Sequence, residues 1–395
     1  MIAVLVLLVA YVSLGLVYWL YAAYAMWRMG RSVARLGSGE VPPPADSPAV
    51  SVIVPACNEA AKLEAATRTL LAQDYQPLEV VLVDDRSTDA TGEIMDQLAA
   101  ADARVKAVHV AELPDGWLGK MHALREGLRQ AAGELVLFTD ADVHFQPDAV
   151  ATAVAYLLHR KLDYLTALPR LQPTALLLDG SISGFIRQFV MMARPWAMPD
   201  PRSKAFMGVG AFGLFRRSAL AATEGLAWLR LEIADDAGLA LMMKRSGARC
   251  EMVNGFDHVS IRWYASVDEA SRSAEKALAT PANFSLARVV AFALVLAGLE
   301  TAPILSLVPL AFARTRAVGL AGLAVLAACA LCCFLMTRWV RARALPVVFG
   351  VLLAPAAAAA LLRAALVVRR RGGIVWRGRL YPAELLRDHQ RVRLP

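Results

Sequence analysis

The sequence predicts an α/β domain, built on a doubly wound and mostly parallel sheet, that lies between membrane helices. Short apolar runs rich in β-forming residues alternate with helical patterns in the middle of the chain, which indicates parallel strands joined by crossover helices. Long apolar runs stand before and after this region. The chain has 395 residues, of which 57% are hydrophobic and 19% charged, and this composition is too apolar for an ordinary soluble enzyme.

The first apolar run covers residues 1–27 and contains no charged residue. About 20 apolar residues cross the hydrocarbon core of a bilayer, so this run is predicted to be a transmembrane anchor. A cleavable signal peptide is the alternative, but no basic residue precedes the run. Arg28, Arg31 and Arg35 follow it, and their charge favours a cytoplasmic location for the next domain. Residues 28–49, basic and then proline-rich, are predicted to be a linker.

Three further apolar runs, at residues 289–313, 317–336 and 345–368, predict a carboxy-terminal membrane bundle over 289–368, followed by a basic tail over 369–395. If all four runs of the chain crossed the membrane, the arginine-rich tail would lie outside, against the charge bias. We therefore expect one carboxy-terminal run, either the one broken by Pro355 or a neighbour, to be re-entrant, and the tail to be cytoplasmic. Glu300 lies within an apolar run, which predicts a buried partner or a lipid headgroup contact.

The net charge of +8 comes largely from arginines that flank the apolar runs. Positive charge at the edges of a bilayer argues against a nucleic-acid partner, which would need a basic groove-binding face. The five cysteines show no zinc-type spacing and are predicted to be reduced packing residues. The alanine- and arginine-rich composition suggests a bacterial source, and hence the inner (cell) membrane.

The middle domain is predicted to cover residues 50–285. Its strands are expected at 50–54, 78–83, 105–110 and 135–138, and its helices at 60–72, 88–100 and 121–132. Ligands of such a sheet gather beyond the carboxyl ends of the strands, and acidic residues follow two of these ends. Asp140 and Asp142 follow the fourth strand, where carboxylate oxygens suit a hard cation such as Mg²⁺ or Mn²⁺. Loop capping is the alternative.

Asp84 and Asp85 follow the second strand, and two adjacent acids repel each other unless something donates to them. A nucleoside could supply those donors, or one of the two acids could cap the next helix. The first strand ends in Pro55, Ala56, Cys57, Asn58 and Glu59. Asn58 is predicted to be a helix cap, a ligand contact or both.

Lys120 follows a glycine-containing loop and opens a helix, a position that suits a diphosphate. A solvated surface lysine is the alternative. Asp235 and Asp236 open a later apolar helix, where one acid can act as the cap and leave the other free as a general base.

A helix is also expected near residues 174–196. Five apolar residues share one of its faces, opposite three polar ones. The apolar residues are Leu178, Ile182, Phe185, Ile186 and Phe189, and the polar ones are Asp179, Ser183 and Arg187. This spacing predicts a helix that lies in the membrane interface, with an ordinary helix covering the sheet as the alternative.

Together these motifs resemble glycosyltransferase family 2, in particular its membrane-bound lipid glycosyltransferases, such as ceramide glucosyltransferases and the hopanoid- or carotenoid-associated enzymes. The resemblance covers residues 50–265. It rests on Ser51 to Pro55 with Asn58 and Glu59, Val83 to Asp85 with Ser87 and Asp89, Gly116, Trp117, Gly119 and Lys120, Asp140 to Asp142, Asp235 and Asp236 with Leu239, and Arg262 with Trp263. The chain departs from the family's Gln-x-x-Arg-Trp motif, since Val259 stands where the glutamine is expected.

The resemblance implies a GT-A fold and assigns roles to the motif residues. Pro55, Ala56, Asn58, Glu59, Asp84, Asp85, Lys120 and Asp140 are expected to bind the nucleotide-sugar, with Lys120 near the diphosphate. Asp142 is expected on the metal with Asp140 beside it, Asp236 as the catalytic base, and Asp235, Arg262 and Trp263 on the acceptor side. The implied reaction is an inverting, metal-dependent transfer from a nucleotide-diphosphate sugar, most simply a UDP-sugar, to a lipid hydroxyl.

Two other functions compete with this one. A processive polysaccharide synthase needs more membrane helices and the glutamine that is missing here. A non-catalytic nucleotide-sugar-binding membrane protein needs no base, and Asp236 argues against it. Residues 373–379 also resemble the tails of the carotenoid and hopanoid group, but the sequence gives this tail no role.

Overall fold

The computed structural model describes residues 2–37, 47–277, 284–341 and 343–393. Most of the proline-rich part of the predicted linker, residues 38–46, lies outside the described residues. The first helix, α1 (Ile2–Ser32), continues past the expected end of the anchor at residue 27. Just after α1, the backbone N–H of Leu36 donates to the carbonyl oxygen of Asn254 at 2.9 Å, which ties the anchor to the sheet.

A seven-stranded sheet forms the centre of the domain. Its strands are β1 (Val50–Ala56), β2 (Leu78–Asp85), β3 (Val105–Val110), β4 (Leu135–Phe138), β6 (Tyr164–Leu168), β8 (Gly213–Arg216) and β9 (Cys250–Asn254), in the order β3-β2-β1-β4-β8-β6-β9. Only β8 runs antiparallel to both of its neighbours, so the sheet is mostly parallel as predicted. Val50 lies opposite both Leu78 and Leu135, and this register brings the carboxyl ends of β1, β2 and β4 to one edge.

Helices cover both faces of this sheet, as expected for strands that are buried on both sides. They are α2 (Leu63–Leu71), α3 (Thr91–Ala101), α4 (Gly119–Gln130), α5 (Ala149–His159), α7 (Arg217–Ala221) and α8 (Asp235–Arg245), with a 3₁₀ turn at Leu226–Leu229. Helix α9 (Val267–Ala277) packs instead on the helix Ala354–Arg371. A smaller sheet pairs β5 (Val143–Phe145), β10 (Val259–Ile261) and β7 (Arg170–Leu171) in the order β5-β10-β7.

Two helices begin three residues later than the sequence predicted. Helix α2 begins at Leu63 instead of residue 60, and α3 begins at Thr91 instead of residue 88. The loops that precede them contain Asn58 at φ 58° and Arg86 at φ 59°. These left-handed residues turn the chain at the ends of β1 and β2, so the residues that follow are used in loop contacts instead of helix.

The remaining helices are predominantly apolar. They are α6 (Leu176–Ala193), α10 (Leu286–Glu300), α11 (Ala302–Leu305), α12 (Arg316–Val340), α13 (Ala344–Leu352) and α14 (Ala354–Arg371), with 3₁₀ turns at Pro195–Ala197 and Val308–Ala311. The chain then forms a hairpin of β11 (Gly373–Trp376) and β12 (Arg379–Pro382), called the C-terminal hairpin below, and ends in α15 (Ala383–His389).

By length and composition, three helices in the described part of the chain could cross a membrane: Ile2–Ser32, Leu176–Ala197 and Arg316–Trp339. Two further pairs pass the same test only when joined. Leu286–Glu300 is bent by 48° against Ala302–Ala311, and Ala344–Leu352 by 62° against Ala354–Arg371. The second bend lies beside Pro355, where the sequence predicted an interruption, because proline removes a helical hydrogen bond.

Part of the polar face predicted for α6 is buried inside the protein. This differs from the expected interfacial helix, in which the polar face would point to water. Ser183 and Arg187 are buried, and Arg187 forms an ion pair with Glu300 of α10. Helix α6 packs closely on α13, where a side chain on Gly350 would stand 2.5 Å from the carbonyl oxygen of Gly180. The ion pair also confirms the buried partner that was one of the two expectations for Glu300.

Candidate active site

A cavity of about 400 Å³, counted with its open mouth, lies at the carboxyl end of β4. Its lining includes Lys120 at the start of α4, Thr139 and Asp140 after β4, and Asp235 and Asp236 at the start of α8. These residues come from three separate parts of the sequence. The sheet therefore brings together Lys120, Asp140 and the Asp235-Asp236 pair, as the motifs predicted.

Lys120 bridges two of these carboxylates. Its Nζ lies 2.8 Å from Asp140 Oδ1 and 3.0 Å from Asp235 Oδ2. Burial by itself lowers the pKa of Lys120, but the charges of Asp140 and Asp235 outweigh it and raise the pKa above the ordinary lysine value. Lys120 is therefore a permanent cation in the cavity and not a solvated surface lysine.

Asp236 is held by backbone donors on both carboxylate oxygens. Oδ2 accepts from the N–H of Gly210 at 2.9 Å, and Oδ1 accepts from the N–H of Ala237 at 2.7 Å. Burial, together with the charge of Asp235, raises the pKa of Asp236 to about 7, against the opposing effect of Lys120. A carboxylate with this pKa can take up and release a proton near neutral pH.

The segment facing Asp236 requires glycine. A Cβ on Gly208 would stand 1.9 Å from the backbone carbonyl oxygen of Asp236, and one on Gly210 would stand 2.9 Å from Asp140 Oδ2. The fixed backbone of Asp236 excludes a side chain at Gly208, whereas a side chain at Gly210 would require Asp140 to move. Residues 208–210 lie in no recognised motif, so the sequence did not predict their place beside the two acids.

Asp84 and Asp85 have different surroundings. Asp84 Oδ1 accepts from the backbone N–H of Ser87 at 2.9 Å, which is a turn-stabilising contact. Asp85 is buried, accepts from Nε of Arg86 at 2.9 Å, and lies against the start of α4, where a Cβ on Gly119 would stand 2.0 Å from Oδ2. Asp84 therefore stabilises the turn after β2 and does not cap α3, which begins at Thr91. Asp85 borders the loop before Lys120.

The loop after β1 is held by side chains of the loop after β2. Asn58 Oδ1 accepts from the backbone N–H of Thr88 at 2.8 Å, and the N–H of Asn58 donates to Ser87 Oγ at 3.0 Å. Asn58 thus joins two loops and does not cap α2. The backbone N–H of Glu59 donates to Thr91 Oγ1 at 2.8 Å, and burial raises the pKa of the Glu59 carboxyl. Pro55 and Ala56 lie in β1, paired with Val83 and Asp84.

The two acids of the Asp-x-Asp motif pair with different lysines. Asp142 Oδ2 lies 3.0 Å from Nζ of Lys62, whereas Asp140 pairs with Lys120. No group of three or more histidine, cysteine, aspartate or glutamate side chains in the described ranges is placed to hold a metal ion. Any cation at this motif would therefore need ligands beyond the protein, such as phosphate oxygens and water.

Arg262 and Trp263 are exposed and do not line the cavity. The ring of Trp263 packs edge-on against Phe185 of α6, with 5.5 Å between the ring centroids, and stacks on Tyr264 at 5.3 Å. The expected acceptor-side residues are thus divided, with Asp235 in the cavity and the Arg-Trp pair beside α6.

The comparisons with known proteins agree with this arrangement. The model of the family described as "Glycosyl transferase family 2" matches residues 51–223, which contain β1 to β8, Lys120 and the Asp-x-Asp motif. Residues 51–223 are therefore similar to a glycosyl transferase family 2 domain. The match ends before Asp235 and Asp236, so the assignment of these two acids depends on the cavity geometry.

Some of the similar proteins have names that state a lipid-linked or a carotenoid substrate. Residues of this chain are 35% identical over 105 residues to a GalNAc(5)-diNAcBac-PP-undecaprenol beta-1,3-glucosyltransferase of Campylobacter jejuni, covering 27% of this chain and 33% of that protein. They are 33% identical over 108 residues to a 4,4'-diaponeurosporenoate glycosyltransferase of Staphylococcus aureus, covering 27% of each. The chain thus spans well under half the length of these relatives.

One solved structure resembles nearly the whole chain. A mannosyltransferase from Pyrobaculum calidifontis, solved in complex with GDP-Man and Mn²⁺, matches with a TM-score of 0.52 and 24% identity, covering 93% of this chain and 98% of that one. This likeness confirms a fold of the GT-A type. In this chain, apolar helices lie near both termini.

Proposed function

We propose that the chain transfers a sugar from a nucleotide-diphosphate donor to the hydroxyl of a lipid at the membrane surface, with inversion at the sugar. The observation that carries this proposal is the cluster of Lys120, Asp140, Asp235 and Asp236 around one cavity at the sheet edge. A permanent cation and a proton acceptor in one cavity are the two groups that a direct displacement needs. The catalytic domain would be residues 50–285.

The donor diphosphate would lie at the start of α4. The first backbone N–H groups of a helix are free to bind an anion, and Lys120 adds a full positive charge there. The present partners of Lys120 are carboxylates, which a diphosphate can replace, because both present oxygen acceptors. Asp85, Asn58 and Glu59 border the same end of the sheet and would surround the nucleoside.

The carboxylates of the Asp-x-Asp motif suit Mg²⁺ or Mn²⁺. Such an ion can be held by one or two carboxylates together with the phosphates of the nucleotide-sugar. Asp142 and Asp140 would hold such an ion, and Lys62 and Lys120 neutralise these carboxylates in its absence. When bound, the cation would stabilise negative charge on the leaving diphosphate. The Pyrobaculum mannosyltransferase, solved with Mn²⁺, supports a divalent metal.

Asp236 would act as the general base. The acceptor oxygen forms a bond to the anomeric carbon, the bond from that carbon to the diphosphate breaks, and the acceptor proton passes to a carboxylate oxygen of Asp236. Direct attack from the face opposite the leaving group inverts the configuration and needs no covalent intermediate. The backbone donors from Gly210 and Ala237 hold the carboxylate in a fixed orientation.

A lipid acceptor is supported by the apolar surroundings and by the relatives. Phe185 and Trp263 are exposed beside one another, and Leu176 and Leu177 extend the exposed apolar surface of α6. The names of the Campylobacter and Staphylococcus relatives include a polyprenyl-diphosphate-linked and a carotenoid substrate. Arg28 and Arg31 near the end of α1 favour the cytoplasmic face of a bacterial inner membrane.

The test is transfer by the full-length protein in lipid nanodiscs supplied with a bacterial lipid extract. Radiolabelled UDP-glucose, UDP-galactose and GDP-mannose are offered one at a time with Mn²⁺ or Mg²⁺. We expect one donor to give a labelled product of a single size in the lipid phase. A ladder of polymer would support the processive synthase instead, and donor binding without any transfer would support the non-catalytic alternative.

A further inference from the structure

The C-terminal hairpin folds back onto the loop after β1 and the loop before α4, far from its position in the sequence. Its two-residue turn consists of Arg377 at φ 48° and Gly378 at φ 79°, between the paired residues Trp376 and Arg379. Two consecutive positive φ angles are typical of a type I′ turn, which joins strands tightly. The turn therefore fixes the direction in which Arg377 leaves the hairpin.

Arg377 contacts the loop that follows β1. Its Nη1 donates to the carbonyl oxygen of Cys57, and its Nη2 lies 3.3 Å from Glu59 Oε1. A planar guanidinium can hold two acceptors at once, which the point charge of a lysine cannot do with the same geometry. The hairpin thus holds both the backbone and the carboxylate of the loop expected to bind the nucleoside.

Other residues attach the hairpin to the loop before α4. Nη2 of Arg379 lies 2.7 Å from Asp115 Oδ1, and the hydroxyl of Tyr381 donates to the carbonyl oxygen of Trp117 at 3.1 Å. Tyr381 also packs with Leu118 and Leu231 in a small buried cluster. Because Leu118 stands two residues before Lys120, the hairpin is connected to the expected diphosphate end of the cavity as well.

The chain after the hairpin reaches the segment before α8. Glu232 Oε2 accepts from the backbone N–H groups of Arg391 at 2.6 Å and Val392 at 2.9 Å. Its Oε1 accepts from the N–H of Ala234 at 3.1 Å, directly before Asp235. The last part of the chain therefore joins the loop after β1, the loop before α4 and the segment before α8. The last two of these lead directly into the cavity residues Lys120 and Asp235.

We propose that the C-terminal hairpin is one wall of the donor site and that Arg377 is a positioning residue for the donor. By holding Cys57 and Glu59, Arg377 keeps the loop after β1 in the shape that binds the nucleoside. This inference rests on the proposed function, because the ligand must be a nucleoside diphosphate. The contacts of the hairpin with residues before α4 and after β1 point to the donor, since the exposed Arg262 and Trp263 lie beside α6 instead.

The experiment compares Arg377→Ala, Arg377→Lys and Arg272→Ala in the full-length protein in nanodiscs. Arg272 is the control, because it is an exposed arginine of α9 whose partner, Asp268, is also exposed and lies one turn away in the same helix. Binding of UDP, GDP, ADP and dTDP with Mn²⁺ is measured by calorimetry. The donor KM, the acceptor KM, kcat and the thermal unfolding midpoint are measured beside it.

We expect Arg377→Ala to weaken binding of the preferred nucleoside diphosphate by about tenfold and to raise the donor KM by a similar factor. Arg377→Lys should recover part of this loss, whereas Arg272→Ala should bind like the wild type. The acceptor KM and kcat should change little, since the loop positions the donor in the ground state.

The outcomes separate this inference from the proposed function. If the wild type binds a nucleoside diphosphate and Arg377→Ala binds it equally well, the role of Arg377 is wrong and the proposed function stands. If Arg377→Ala lowers only the unfolding midpoint and the active fraction, Arg377 is merely structural and the inference fails. If the wild type binds none of the four diphosphates, the proposed function fails together with it.

Discussion

The guanidinium of Arg187 and the carboxylate of Glu300 form an ion pair between α6 and α10 in which the side chains are 1% and 2% exposed. Tyr18 of α1 and Gln188 of α6 also donate to this carboxylate. Three helices that are distant in sequence thus meet at one buried charge pair. Ion pairs of this kind cost much desolvation, so the removal of one partner leaves a buried charge without compensation.

Arg187→Met is therefore expected to lower the free energy of unfolding by about 3 kcal/mol or more, measured by thermal or denaturant unfolding in detergent. The double variant with Arg187→Met and Glu300→Met removes both charges and should recover most of that loss. A single variant as stable as the wild type would show that the pair does not hold the helices together.

Asp236→Asn is expected to lower turnover by at least about 10²-fold, because the amide cannot accept the acceptor proton. Donor binding, measured by calorimetry, should stay nearly intact. Asp96→Asn is the control, since Asp96 is an exposed carboxylate of α3 paired with His109. Wild-type turnover of the purified Asp236→Asn variant would refute the assignment of the base.

The rate of transfer is expected to rise with pH through a midpoint of about 7. The pKa of Asp236 is raised, so at pH 6 the carboxyl is mostly protonated and cannot take a proton, whereas at pH 8 it is ionised. The measurement is kcat/KM between pH 5.5 and 8.5, with donor affinity determined separately at each pH. A rate that falls over this range would contradict the assignment.

Lys120→Met is expected to lower kcat by about 10²-fold to 10³-fold, because the charge that stabilises the leaving diphosphate is lost. It also leaves Asp140 and Asp235 without their shared cation. The control is Lys106→Met, which removes an exposed lysine paired with Glu79 near the amino ends of β2 and β3. Equal kcat for both variants would mean that Lys120 has no part in the reaction.

Local patterns in the sequence predicted much of the fold. The bounds of β3 and β4 agree with the strands predicted at 105–110 and 135–138. Strand β4 is buried throughout, whereas β3 lies at the edge of the sheet and is buried only at its two ends. The starts of α2 and α3 were wrong, because the chain turns through left-handed conformations at Asn58 and Arg86. Asparagine adopts this conformation more often than most residues, but arginine does not, so the two turns share no local sequence signal. The environment of the polar face of α6 could not be predicted either, since a row of polar residues has the same pattern in the sequence whether it faces water or a buried partner such as Glu300.

The same division applies to the site. The convergence of Lys120, Asp140 and Asp235 followed from the rule that ligand-binding residues gather at the carboxyl ends of parallel strands. The separate pairing of Asp142 with Lys62 depends on side-chain directions that a motif does not contain. The contact of Arg377 with Glu59 joins residues 318 positions apart, and a single sequence carries no signal for such a pair.

The docking of the C-terminal hairpin beside the cavity also restricts the membrane topology. If α1 crosses a bilayer, it leads into the sheet from one side of it, and the hairpin that follows α14 must return to that same side. Any bilayer is therefore traversed an even number of times between residues 284 and 372. The three apolar segments in this interval, two of them bent, cannot all be single crossings, so at least one must enter and leave by the same leaflet.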